Sequence, residues 1–189
     1  MKNRFYHFIM FVFPLLVTIF FISVVKKTDS NLEPVREMVV SEKLQTNKIT
    51  IDKHASKRRV YFFVEKQNQK IKFERKYNGF VTNWAKAAEY KKYENNEIQY
   101  FFVEKNTPFN AKESIPFFGL NQSEKNLAYY WDIFLFFREK YFFALLSLFI
   151  GFIFGGGYLV DNSGGISANK SLSIMFFLNI VYLLFLMIG

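Results

Sequence analysis

Three long apolar runs constrain this chain more than any other feature of its sequence. They cover residues 5–25, 141–160 and 172–188, and none of them contains a charged residue. A helix needs about 20 mostly apolar residues to cross a bilayer, and a buried core helix seldom stays uncharged over such a length. The runs therefore predict three transmembrane helices.

The first run has an alternative interpretation as a signal peptide, because Lys2 and Arg4 precede it. Its apolar stretch is longer than the usual signal-peptide core of about 7 to 15 residues, and Lys26 and Lys27 stand where small residues should precede a cleavage site. We therefore expect a permanent anchor. Pro14, in the middle of this run, should remove one helical hydrogen bond and kink the helix. Such a kink is tolerated in lipid when a neighbouring helix or water covers the freed carbonyl.

The segment between the first two runs holds nearly all the charge. Mean hydropathy is only +0.04 although 51% of residues are hydrophobic, so apolar and charged residues are segregated. Residues 26–140 contain 22 of the 25 Lys and Arg and 15 of the 16 Asp and Glu, which gives +7 of the total +9. These 115 residues suffice for one small domain.

The chain has few side chains that suit catalysis or cofactor binding. The chain has no Cys, which excludes disulfides, Cys-based zinc or iron–sulfur sites and cysteine nucleophiles, and it has only two His. No triad partners are evident for His7 or His54. The sequence around Lys170 departs from the phosphate-binding loop, with Asn169 in place of the second Gly, and it links two membrane spans. We predict no catalytic residue, cofactor or metal.

Local patterns predict a small α+β, β-rich extramembrane domain. Residues 59–65 and 70–75 flank a turn at 67–69 as a hairpin, while Val81, Trp84, Ala85 and Ala88 recur at helical spacing. Strands are predicted at 49–51, 97–103 and 114–120, and a helix at 81–92. The predicted organisation is a first transmembrane helix in 1–25, a linker or short helix in 26–47, the β-rich domain in 48–126, an interfacial helix in 127–140, a second transmembrane helix in 141–160, a short loop in 161–171 and a third transmembrane helix in 172–189.

One hexapeptide, Tyr-Phe-Phe-Val-Glu-Lys, occurs at 61–66 and again at 100–105. It indicates either a duplicated strand unit or two central strands that meet the same packing demand. Because nothing around the two copies matches, we favour the second interpretation. Both strands should be covered on both faces, one of them by the helix that contains Trp84.

A basic cluster and an aromatic segment are the candidate contact sites. The basic cluster consists of Lys57, Arg58 and Arg59, with Lys53 nearby. It can guard a solvated strand edge, bind anionic lipid headgroups, or bind nucleic acid with Tyr61 as a stacking platform. We rank these interpretations in that order and disfavour nucleic acid. The segment 127–140 contains Tyr and Trp, which favour headgroup depth. The candidate lipid or partner contacts are Lys53, Lys57, Arg58, Arg59, Trp131, Arg138 and Lys140.

Helix packing within the membrane has its own candidates. Gly151 and Gly155 form a G-x-x-x-G pattern, which lets helix backbones approach closely, and Asn179 can add an interhelical hydrogen bond. The glycine face could serve the chain's own helices or another subunit. Six basic residues near span ends on the domain side, against three on the other, favour a cytoplasmic domain, whereas a signal anchor would place it outside.

The order of elements resembles a group of small bacterial membrane proteins, the DUF3592 type. The resemblance covers roughly residues 5–160 and includes the hairpin VYFFVEKQNQKIKF and the later strand ENNEIQYFFVEKN. Those proteins often have Gly-Asp before the later strand, where this chain has Asn95-Asn96, and the third span is additional. The resemblance implies no established catalytic residue.

The sequence thus favours a non-enzymatic bacterial inner-membrane protein. Its basic module would bind a partner or assemble into an oligomer, as a subunit of a membrane complex that also contacts lipid. Two alternatives are a toxin-immunity or phage-defence membrane component and a transporter or channel subunit. The last lacks the paired intramembrane charges of a relay.

Overall fold

A computed structural model describes residues 2–40, 49–54, 57–66, 68–78, 80–109, 113–122 and 124–188. The chain divides into two compact units: Met1–Val24 with Lys140–Gly189, and Val25–Glu139. The elements are α1 (Lys2–Ser30), β1 (Leu32–Val40), β2 (Ile49–His54), β3 (Lys57–Lys66), β4 (Gln69–Asn78), α2 (Phe80–Lys91), β5 (Ile98–Glu104), β6 (Ile115–Pro116), α3 (Leu127–Lys140), α4 (Phe142–Asn162), α5 (Gly165–Ala168) and α6 (Lys170–Ile188).

The first unit is helical. Within the described residues, α1, α4 and α6 are long and apolar enough to cross a membrane by length and composition, which is compatible with an integral membrane location. The three long apolar helices that the sequence predicts are therefore present. The short helix α5 occupies the predicted loop between the second and third spans.

The second unit is a mixed sheet with two helices. The strand order is β5-β1-β3-β4-β6, with β2 also paired to β3, and all pairs are antiparallel except β4 with β6. Two residues after β6, Phe118 exchanges backbone hydrogen bonds of 2.9 Å with Phe102 on β5. The segment that contains β6 thus joins β4 to β5, so the sheet closes on itself.

Strand β1 is the main difference from the predicted organisation. Residues 26–47 were expected to form a linker or short helix, but α1 extends to Ser30 and Leu32–Val40 is a strand in the middle of the sheet. It pairs with β5 from Leu32 opposite Glu104 to Met38 opposite Ile98. Pro34 and three charged residues make this segment a poor strand former locally, so its partner far along the chain determines its structure. Residues 41–48 of the predicted linker lie outside the described part.

The two copies of the hexapeptide lie on either side of β1. Phe62 and Phe101, the second residue of each copy, are both about 1% exposed, and their rings lie 5.1 Å apart. The copies thus turn equivalent residues toward the same core. The core cluster comprises Val39, Ile49, Val60, Phe62, Val64, Ile71, Phe73, Tyr77, Tyr90, Phe101, Val103, Ile115, Phe117 and Leu120.

The predicted hairpin and the predicted helix are present. Lys66 pairs with Gln69, so a two-residue turn joins β3 to β4, and Asn68 in this turn has a φ of 60°. Asn tolerates this left-handed conformation better than most residues. Helix α2 contributes the buried Lys86 and Tyr90; the side chain of Trp84, predicted to cover the strands, lies outside the described part.

Candidate functional site

One sheet face, opposite the core, brings basic side chains together around Glu74. Alternation along β3 and β4 turns Phe62 and Phe73 inward and places Glu74 on the other face. Its carboxylate lies 2.6 Å from Arg59 Nη2, 3.1 Å from Lys72 Nζ and 3.6 Å from Lys76 Nζ. We call Arg59, Lys72, Lys76 and Glu74, with Tyr61, the outer basic face.

Glu74 organises these cations. Burial alone would raise the pKa of its carboxyl, but the hydrogen bonds from Arg59 and Lys72 outweigh burial and lower it. The hydrogen bond to Glu74 in turn raises the pKa of Arg59. Glu74 therefore stays ionised and holds three cations on one side of the sheet, where a single carboxylate cannot neutralise them all.

Aromatic and apolar side chains extend the outer basic face. Lys72 Nζ lies 4.5 Å from the centre of the Tyr61 ring, and on the neighbouring strands the Arg36 guanidinium lies 5.3 Å from the Tyr100 ring. Beside Arg36, Met38 pairs with Ile98, and these two side chains are 63% and 39% exposed. The face thus combines cations, aromatic rings and exposed apolar surface, a composition typical of interaction surfaces.

The predicted basic cluster is divided between sheet positions. Arg59 belongs to the outer basic face, whereas Arg58 alternates with it and pairs with Lys53 and Tyr77 along the ladder. Lys53 and Lys57 occupy neighbouring strands, but their side chains lie outside the described part. Lys72 and Lys76 are not among the residues predicted from the sequence. Lys72 lies on the predicted strand 70–75, where strand alternation could have placed it beside Arg59, whereas Lys76 lies one residue beyond that predicted strand.

A buried charged cluster centred on Asp132 was also missed. The Asp132 carboxylate accepts hydrogen bonds of 3.0 Å from both the Tyr77 hydroxyl and the Gly119 amide, and lies 3.5 Å from Lys86 Nζ and 3.8 Å from Arg75 Nη2. Arg75 Nη2 also donates to the main-chain oxygen of Asp132 at 2.7 Å. These contacts fix α3 onto the sheet.

The rings around Arg75 complete this cluster. Its guanidinium lies 4.5 Å from the Phe136 ring and 4.7 Å from the Phe118 ring. Burial lowers the pKa of Arg75, but the charge of Asp132 more than offsets burial and the pKa is raised. The signal in the sequence was a lone Asp within the aromatic run LAYYWDIFLFF, which a helix facing only lipid would not tolerate.

The three candidate contacts on α3 differ in their surroundings. Trp131 and Lys140 are exposed, whereas Arg138 is 3% exposed and donates a 2.6 Å hydrogen bond to the Asn78 carbonyl. Burial lowers the pKa of Arg138. Arg138 thus points into the sheet unit and not outward as a headgroup contact requires.

Among the glycines of α4, the contact within the chain is made by Gly156. A Cβ built on Gly156 would lie 2.7 Å from the Phe176 ring, whereas one built on Gly151 or Gly155 would meet no described atom within 4 Å. Gly151 and Gly155 instead line an apolar groove of about 530 Å³ between α1 and α4. The structure thus brings Gly156, and not the G-x-x-x-G pair, against α6.

Asn179 joins α6 to α1 at the proline. Pro14 lacks the N–H that would bond the carbonyl four residues earlier, that of Met10. The Asn179 side-chain amide donates to this carbonyl at 2.9 Å, and one turn later Tyr182 and Thr18 share a hydrogen bond of 2.8 Å. Asn179 therefore satisfies the backbone group that Pro14 frees.

Comparisons with known proteins add no family. The sequence matches no family model, and no curated protein or solved structure is significantly similar to it. Within the described residues, no group of three His, Asp or Glu side chains could hold a metal ion.

Proposed function

We propose that this chain is a non-enzymatic protein of the bacterial inner membrane, in which three apolar helices anchor a basic sheet module that binds an acidic partner protein within a membrane complex. The observation that supports this function best is the set of three cations that Glu74 holds on the outer basic face. The excess of basic residues near span ends favours the cytoplasmic side for the module.

Charge and exposed apolar side chains both favour an acidic protein partner. With Arg36 and Lys70, the described cations on this side of the sheet number five, while Glu74, Glu65, which pairs with Lys70, and Asp52, which pairs with Arg59, supply three carboxylates. A net positive surface attracts and orients an acidic partner. The exposed pair Met38 and Ile98 can bury apolar area at the centre of such an interface.

The test is capture of the full-length chain from native membranes with a photo-crosslinker on the module. The variant Lys72→Glu with Lys76→Glu reverses two charges of the outer basic face, and Lys91→Glu with Lys92→Glu makes the same change at exposed positions at the end of α2 and just after it. We expect the captured protein to be acidic, to be lost in the first variant and at high salt, and to be retained in the control. Equal capture by both variants would contradict the proposal.

Assembly through α4 is the second part of the proposal, because a Cβ built on Gly151 or Gly155 would meet no described atom within 4 Å. We expect Gly151→Leu with Gly155→Leu to dissociate an oligomer measured by light scattering in detergent while leaving helix content unchanged. In contrast, Gly156→Leu should disturb the fold itself because Phe176 occupies that space. A monomeric wild type, or an oligomer that tolerates the double change, would exclude this role.

A further inference from the structure

The first two turns of α3 expose large apolar side chains. Leu127 is 86% exposed, Trp131 42% and Tyr130 36%, and all three lie on one side of the helix together with Phe134, whose ring centre is 5.0 Å from that of Trp131. We call Leu127, Tyr130, Trp131 and Phe134 the aromatic face of α3.

The opposite side of the same helix contains its buried carboxylate. Asp132 is fully buried and is bonded to Tyr77 and Gly119. Most other buried residues of α3 are apolar, among them Tyr129, Ile133 and Leu135, so the helix has apolar side chains on both sides. A helix on the surface of a domain in water normally has polar and charged residues outside, so the aromatic face is not adapted to bulk water.

Chain continuity identifies what covers this face. Helix α3 ends at Lys140, and after Tyr141 the chain enters α4, which is long and apolar enough to cross a membrane. Tyr and Trp are the residues that favour the headgroup region, where the ring is shielded from water and the polar atom stays hydrated. The other end of α3 lies beside the end of α1: the Tyr129 hydroxyl donates to Asp29 Oδ1 at 2.9 Å, and Asp29 follows the apolar run 5–25 by only four residues on that helix.

We propose that the aromatic face of α3 lies in the headgroup region of the bilayer that α4 spans, and that the sheet module is thereby bound to the membrane surface. This inference rests on the proposed membrane insertion of α4, but not on the identity of any protein partner. Asp132 serves the module side of α3, and the ring side chains of the aromatic face serve the lipid side. Arg138 follows Phe134 by one turn on the same side of the helix and bonds the Asn78 carbonyl of the module, so the aromatic face ends before Arg138.

Tryptophan quenching tests this proposal directly, because the chain has only two Trp residues. The Trp84→Phe variant of the full-length chain leaves Trp131 as the single emitter. In nanodiscs of phosphatidylcholine and phosphatidylglycerol, lipids brominated near the headgroup should quench Trp131 several-fold more than lipids brominated near the end of the acyl chain. Equal emission with and without bromine would overturn the proposal.

A control variant separates failure of this proposal from failure of membrane insertion. Phe154 on α4 is 75% exposed, so Phe154→Trp in a Trp84→Phe, Trp131→Phe background reports insertion of the span. Quenching of this reporter without quenching of Trp131 would overturn the inference and support the membrane insertion of α4. Absence of quenching at both positions would refute both the inference and the membrane insertion of α4.

A cysteine experiment gives a second measurement that does not depend on Trp84. The chain has no Cys, so Leu127→Cys and the exposed control Gln69→Cys each introduce a single thiol. We expect a water-soluble maleimide to label the first variant several-fold more slowly than the second in nanodiscs, and equally fast after detergent and urea. Equal rates in nanodiscs, or protection in native membranes only, would overturn the proposal, since the latter indicates a protein occupant.

Discussion

Replacing Asp132 by Asn is the sharpest test of what holds α3 on the sheet. The change keeps the size of the side chain but removes its charge, while Arg75 and Lys86 stay buried around it. Removing one member of a buried ion pair typically costs about 3 to 5 kcal/mol, because the remaining charge is left uncompensated. Lys86 keeps Glu89 at 2.8 Å, so the loss falls mainly on Arg75.

This loss is a substantial fraction of the free energy of unfolding of a small domain, which is about 5 to 15 kcal/mol. Both Trp residues lie in the unit Val25–Glu139, so Trp emission during urea unfolding of the full-length chain in nanodiscs reports this unit. We expect Asp132→Asn to lower the urea midpoint with an unchanged slope.

The matched control removes both charges. Arg75→Met combined with Asp132→Leu replaces the ion pair by apolar side chains, a change that is often neutral or stabilising in buried pairs. We expect the double variant to be markedly more stable than the sum of the two single changes predicts. A loss below about 1 kcal/mol for Asp132→Asn, or simple additivity in the double variant, would refute the electrostatic account and indicate that packing alone holds α3.

Two further predictions follow from Glu74 and Asn179. The lowered pKa of Glu74 means that its contribution is fully present above the ordinary value of 4.5 and is lost as pH falls through the folded-state value; the difference in urea midpoint between wild type and Glu74→Gln should therefore shrink on acidification, and a constant difference would contradict this. Asn179→Leu leaves the Met10 carbonyl without its side-chain donor, which should weaken α1 by about 0.6 to 2 kcal/mol and speed amide hydrogen exchange in this helix. Adding Pro14→Ala should restore the protection, because it supplies the missing backbone N–H. Failure to restore the protection would exclude the hydrogen bond between Asn179 and Met10 as its source.

The three long apolar helices could be predicted well from the sequence because their signal is local. An uncharged run of about 20 residues needs no knowledge of the rest of the fold. The hairpin was equally local, since β3 and β4 are joined by a two-residue turn at Asn68. Where an element is defined by its own residues, pattern and structure agree.

Strand β1 and the Asp132 cluster could not be predicted in this way. Strand β1 pairs along most of its length with β5, 60 to 72 residues further along the chain, and its own composition favours a linker. Asp132 lies within an aromatic segment whose own pattern does not identify it as a core residue. Its partners Arg75, Tyr77 and Lys86 come from β4 and α2, far from it along the chain. A periodic pattern shows which side of a segment is buried, but it does not show which distant segment covers that side.

The repeated hexapeptide on either side of β1 has a consequence for folding kinetics. Residues 61–66 and 100–105 offer β1 the same side chains in the same order, so each copy is a competitor for the position of the other. Chain connectivity resolves the competition: β3 is held by a hairpin that closes over two residues, and short loops close fastest. Lengthening that turn would slow this step and give the second copy time to pair first, which would trap the chain in a misordered sheet.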